Sequence, residues 1–204
     1  MTPGTCGSWD DYQVWRPMVL VTGSDYTMYY RGENAKQIAQ TGIATSTDGI
    51  HWTRKSVLPP IAKGTWDANW NSPYSIIAVP GGYLMAYDGA RSTSTSSNEY
   101  IGFASSVDGI NFIPYPSNPV VAPNVAGISF DSLGVGEPMV VMVANEYYVY
   151  YYGWTSAVTG IGVAVLPGSQ FPIQEFSFTQ LMPAIVMLAS AVVLLSTRRN
   201  LANR

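Results

Sequence analysis

Short apolar runs recur along the chain, each closed by a turn-forming cluster, and this predicts many short strands rather than long helices. Three runs start just after a proline, at Met18 to Thr22, Tyr74 to Val79 and Met139 to Ala144. Each leads into a tight turn: Gly23-Ser24-Asp25, Pro80-Gly81-Gly82 or Asn145-Glu146. Tyrosine-rich runs follow at Tyr26 to Tyr30, Tyr83 to Tyr87 and Tyr147 to Tyr152, and then a longer polar loop.

The third run of each unit shows the repeat most clearly. Gly42-Ile43-Ala44-Thr45-Ser46-Thr47-Asp48-Gly49-Ile50-His51-Trp52 matches Gly102-Phe103-Ala104-Ser105-Ser106-Val107-Asp108-Gly109-Ile110-Asn111-Phe112, sixty positions later. Sixty further on, Gly162-Val163-Ala164-Val165 begins the motif again, and it degrades at Leu166-Pro167-Gly168. Asp48-Gly49 and Asp108-Gly109 read as hairpin turns, with Trp52 or Phe112 opening a fourth strand. Units of four strands at this fixed period predict an all-β fold, a β-propeller of four-stranded blades. Solenoid repeats are shorter.

Composition agrees: 13% of residues are aromatic and only 11% charged, which suits many short strands and not long amphipathic helices. All 13 acidic residues lie at or before Glu175, against seven of the ten basic ones. So acidic a domain is a poor partner for phosphate backbones, and no nucleic acid is expected. Cys6 is the single cysteine, so no internal disulfide can form. His51 is the single histidine and sits in a tight turn, which excludes a His-rich zinc site. No metal or cofactor is expected.

Phe178 to Thr197 is free of charge and apolar on all faces, long enough as a helix of about 30 Å to cross a bilayer. Arg198 and Arg199 follow, and positive charge stays on the cytoplasmic side. The expected organisation is therefore propeller blades over 1–170, a linker over 171–177, a transmembrane helix over 178–197 and a basic cytoplasmic tail over 198–204. The blades would lie outside the cell membrane. Gln174-Glu175-Phe176-Ser177 before the span resembles C-terminal sorting signals, which would imply its removal and re-anchoring. No signal peptide is visible after Met1. Three blades leave two bare sheet faces, so further blades and a signal peptide are expected upstream. Pairing of two chains into a homodimeric six-bladed ring is the alternative.

In a propeller the 2–3 and 4–1 loops share one end, and here they are the long ones. An aromatic-Asp pair precedes each proline: Trp9-Asp10, Trp66-Asp67 and Phe130-Asp131. Around a shared axis, Asp10, Asp67, Asp131 and Glu137 become candidate catalytic carboxylates, since glycoside hydrolysis needs two such groups. An Asp recurring in every copy also suits a strand-end cap. Glu137 breaks the repeat, because Arg16 and Ser72 hold the matching positions. Trp15, Trp66 and Trp70 offer faces for sugar rings, and Arg16 and Arg91 offer donors to sugar hydroxyls.

The combination of Asp-x(5–6)-Pro-x-Val, Tyr-Tyr-x-Tyr-Tyr-x-Gly and Gly-x-Ala-x-Ser-x-Asp-Gly-x-x-Trp resembles the five-bladed propellers of the arabinanase, levansucrase and invertase superfamily. Glycoside hydrolase families 43 and 32 belong to it. The resemblance spans about residues 9 to 167 and implies carbohydrate as partner. It also implies that Glu137, before Pro138, is a general acid. Arg16 and Asn71-Ser72 stand where such enzymes carry aspartates, which leaves Asp10 and Asp67 as substitutes. A glycosidase-like surface domain is the implied function; a non-catalytic glycan-binding, adhesive or structural envelope role is the alternative.

Overall fold

A computed structural model describes residues 1–36, 39–57, 61, 64–68, 70–91, 99–126 and 129–173, apart from the side chains of Thr22, Ala39, Ser56 and Trp70. Met1–Ile173 forms one compact unit. The expected span over 178–197 and the basic tail lie outside the described residues. Among those described, no helix is long and apolar enough to cross a membrane.

Among the described residues, eleven strands form three antiparallel sheets, each sheet keeping its strands in sequence order. The first holds β1 (Gln13–Thr22), β2 (Asp25–Glu33), β3 (Ala39–Ser46) and β4 (Thr53–Val57). The second holds β5 (Trp70–Val79), β6 (Gly82–Ala90), β7 (Glu99–Ser106) and β8 (Ile113–Pro114). The third holds β9 (Gly134–Val143), β10 (Glu146–Trp154) and β11 (Thr159–Pro167), with no fourth strand among the described residues. There the degraded motif turns at Gly168–Gln170, and Phe171 packs against Phe103, Tyr115 and Tyr147.

Strand β1 packs on β5, and β5 on β9. The first strands of successive sheets are thus neighbours, as in a propeller-like arrangement of blades. The middle sheet is buried on both faces. From β6, Leu84 and Ala86 join Ile101 and Phe103 against Val135, Val140 and Val149 of the third sheet. The alternate residues, Met85 and Tyr87, meet Tyr29 and Ile43 of the first sheet. Strand β11 alternates instead between exposed and half-buried positions, and Ile161 is 82% exposed.

The first strand of each sheet begins well before its proline, not at it. Pro17, Pro73 and Pro138 sit at irregularities where the register slips: between Trp15 and Met18, Pro73 and Ser75, and, in the third sheet, opposite Tyr151. A proline has no N–H to donate, so a bulge lets it stay inside a paired strand. The recurring glycines have a packing reason. A Cβ at Gly42 or Gly102 would stand 2.8 or 2.9 Å from the Tyr30 or Tyr87 ring of the adjacent strand, and one at Gly162 would overlap the Tyr151 ring.

Both Asp-Gly turns form with one bonding pattern. Asp48 Oδ1 accepts the Ile50 and His51 N–H groups at 2.8 Å and the Ser46 hydroxyl at 2.9 Å. Asp108 does the same with Ile110, Asn111 and Ser106, each at 2.8 Å. Gly49 and Gly109 take φ of 74° and 72°, where a side chain would be strained.

Burial alone would raise the Asp108 carboxyl, but these hydrogen bonds outweigh it and hold the group at about 2. Its folded value lies below its unfolded one, so the stabilisation is complete above about pH 4 and is lost as pH falls through about 2. Asp108→Asn is expected to cost a few tenths to about 1 kcal/mol at neutral pH, discounted for screening, and to flatten the acid limb of the stability curve. Urea melts at a series of acidic pH values measure this. An unchanged acid limb would contradict it.

Candidate functional site

The bulges carry the chemistry-bearing side chains. Arg16 and Glu137 adopt φ of 55° and 53°, in the left-handed region that non-glycine residues rarely enter. They stand at matching places: Arg16-Pro17 lie opposite Tyr30 of β2, and Glu137-Pro138 opposite Tyr151 of β10. Such strain, of order 1–3 kcal/mol each, persists where surrounding structure enforces it and commonly marks functional positions. Here it turns two charged side chains toward one opening.

That opening is a cavity of about 680 Å³ lined by Arg16, Arg31, Tyr74, Glu99, Glu137, Tyr152, Trp154, Thr155 and Thr159. All three sheets contribute to it. Its size suits a small sugar ligand. Tyr152 and Trp154 stack at 5.6 Å. The Arg16 guanidinium lies 4.4 Å from the Tyr74 ring centre, and that of Arg31 lies 5.5 Å from the Trp15 ring. Both donate to one acceptor, Ser72 Oγ, at 3.3 Å from Arg16 and 2.5 Å from Arg31.

Asp88 lies behind this lining, 1% exposed. Its Oδ2 accepts the Glu137 N–H at 3.2 Å, while Oδ1 has no hydrogen-bond partner among the described residues. Burial pushes its carboxyl up to about 8, helped by the charge of Glu99, against the pull of the Glu137 N–H and of Arg16 and Arg31. Burial thus favours the neutral acid over the carboxylate. Glu99 is also raised, by burial first and then by Glu137, with Arg16 opposing. Gly136 lets the two acids approach: a Cβ there would lie 3.1 Å from Glu99 Oε2 and 3.2 Å from Asp88 Oδ2. Among the described residues no cluster of His, Cys, Asp and Glu side chains is arranged to hold a metal ion.

Of the residues singled out from sequence, Glu137 and Arg16 meet at the cavity. Asp10, Asp67 and Asp131 do not line it. They are buried, and each is tied to its own sheet. Asp10 accepts from Tyr30 Oη at 3.1 Å, Ser8 Oγ at 3.0 Å and Arg54 Nε at 2.8 Å. Asp131 accepts from Tyr151 Oη at 2.9 Å, and Asp67 from the Gly64 N–H and Asn71 Nδ2. Their aromatic neighbours lie across the glycines of adjacent strands: Trp9 over Gly32 and Gly42, Trp66 over Gly102, and Phe130 over Gly153 and Gly160. Trp66 is therefore a buried clasp at 8% exposure. Trp15 is half-buried beneath Arg31, and Arg91 is exposed, its Nε donating to Thr65 O at 3.0 Å. The Trp70 side chain lies outside the described residues.

Arg31, Asp88 and Glu99 were missed from sequence. A signal existed: Arg31, Asp88 and Tyr152 each follow the recurring tyrosine, so that position changes in every copy.

No protein-family model matches the chain, and no curated protein matches it in sequence. Solved structures do match its fold. An N-acetylgalactosamine deacetylase from F. plautii, solved with blood group B trisaccharide, aligns over 81% of this chain and 53% of its own, at 15% identity and a TM-score of 0.61. A β-1,2-mannobiose phosphorylase from Listeria innocua, solved with β-1,2-mannobiose, aligns over 78% and 46%, at 18% identity and 0.58. A family 32 β-fructofuranosidase from Bombyx mori aligns over 78% and 32%, at 17% identity and 0.57. The chain thus spans about half or less of the length of these proteins. What it shares with them is a glycosidase-like β-sheet fold.

Proposed function

We propose that the cavity binds a glycan and acts on it as a glycosidase-like site, with Glu99 and Glu137 as the working carboxylates. The observation that carries this reading is the convergence of two acids in unlike environments on one sugar-sized cavity. Glu99 is half-buried and raised, so it is the member disposed to hold a proton for the leaving oxygen. Glu137 is exposed on its strained bulge and stands where water or a ring carbon is reachable, as base or nucleophile. This reverses the acid role that the family resemblance implied for Glu137. Asp88 fixes the Glu137 backbone from behind. The fold shared with carbohydrate-active proteins supports the substrate class. The charge-free stretch over 178–197, followed by Arg198-Arg199, supports anchoring of this domain at a cell surface.

The test is turnover of a panel of aryl glycosides by the full chain, beside Glu99→Gln and Glu137→Gln. At least one substrate is expected to turn over, with kcat lowered about a hundredfold or more in either variant. No turnover by the parent, with binding retained on a glycan array, would leave a carbohydrate-binding domain without hydrolysis.

A further inference from the structure

We infer that Arg16 and Arg31 form an anion-holding subsite that takes the carboxylate of an acidic sugar, so that the cavity selects uronate-containing glycans. This rests on the glycan reading of the cavity and names its substrate class. The two guanidiniums share one neutral acceptor, Ser72 Oγ, and each lies on an aromatic ring. Neither forms an ion pair among the described residues, where the pairs are His51 with Asp48 and Arg54 with Asp10. Arg31 Nε is buried with no hydrogen-bond partner among the described residues. Burying a guanidinium without an ion-pair partner is costly, and a second one beside it adds repulsion. Both effects reach Arg31, whose proton is loosened by burial first and by Arg16 next, against the charges of Tyr74, Asp88 and Glu33.

An anion entering from solvent removes that cost. A planar carboxylate also matches the fork of a guanidinium, whereas a neutral hydroxyl takes one bond at a time. The charges are segregated by sheet. Both arginines come from the first sheet, and the acids Glu99 and Glu137 come from the second and third. A sugar carboxylate held on the first sheet would therefore leave the glycosidic linkage on the side of the acids. The rings of Tyr74 and Trp15 pre-position the cations, which lowers the ordering cost on binding.

The experiment is calorimetric titration of the full chain with galacturonan oligomers and with the same oligomers after reduction of their carboxyl groups. The acidic oligomers are expected to bind at least about tenfold more tightly, an advantage that shrinks with added salt. Arg16→Gln and Arg31→Gln should shrink that advantage, lowering affinity for the acidic oligomers more than for the reduced ones. Equal affinity of the parent for both forms would overturn the carboxylate subsite and leave the glycan reading standing. Binding of neither form would also overturn the carboxylate subsite, and the glycan reading is then decided by the aryl glycoside panel and the glycan array. Preference for a sulphated galactan lacking uronate would replace carboxylate by sulphate ester as the bound anion. The comparison of native and reduced oligomers uses the parent protein, so it decides even if a variant fails to fold.

Discussion

Trp66→Ala is expected to destabilise the domain by about 3–5 kcal/mol, enough to consume much of the stability of a typical fold. Trp66 is 8% exposed and stands 5.4 Å from Tyr87 and 6.3 Å from Tyr100, ring centre to ring centre. Its ring covers Gly102, whose missing Cβ would lie 2.7 Å from it. Truncation would open a void between β6, β7 and the 4–1 connection that bare backbone at Gly102 cannot fill. Cavity cost adds to lost burial in such a place. Urea denaturation would show the midpoint falling with the m-value unchanged. Arg91→Ala is the control: Arg91 is exposed, and its loss should stay within about 0.5 kcal/mol. If Trp66→Ala behaved like the control, the ring would be free to face ligand rather than core.

Asp88→Asn is expected to stabilise the protein, increasingly as pH rises. The folded carboxyl titrates at about 8, above its unfolded value near 4, so the folded state holds a proton that the unfolded state has released. Stability therefore declines as pH climbs from about 4 to about 8, and the full penalty applies above that. Asparagine keeps an acceptor for the Glu137 N–H and carries no charge to bury. Near pH 9 the gain should be on the order of 3–5 kcal/mol, shrinking toward nothing near pH 4. Thermal melts of parent and variant across this range measure it. A constant offset between the two curves would mean that Asp88 is ionised throughout.

Much of the blade architecture was legible because each blade repeats the same solutions. Gly42, Gly102 and Gly162 recur because a tyrosine ring lies on each, and Asp48 and Asp108 because one turn is built twice. The site was less legible for the same reason. Asp10, Asp67 and Asp131 drew attention as acids near strand starts, yet an acid present in every copy serves a need of every copy, here the bonding of buried donors. Glu137, singled out because it breaks the repeat, lines the cavity. Applied to the residue after each recurring tyrosine, the same test would have exposed Arg31 and Asp88. Glu99 follows a polar loop where the copies do not align, so no periodic comparison reaches it. The left-handed backbone at Arg16 and Glu137 was not legible, since proline in a strand predicts an irregularity but not which side chain it redirects.

The Asp-Gly turns close the hairpins at the end of β3 and β7 away from Glu99, where the cavity opens. Reporter groups can therefore be installed away from the residues that line the cavity. Ile50, three-quarters exposed on the first of these turns, is a natural place for a fluorophore or a surface tether. A domain tethered there would keep the cavity of the opposite strand ends clear of the support.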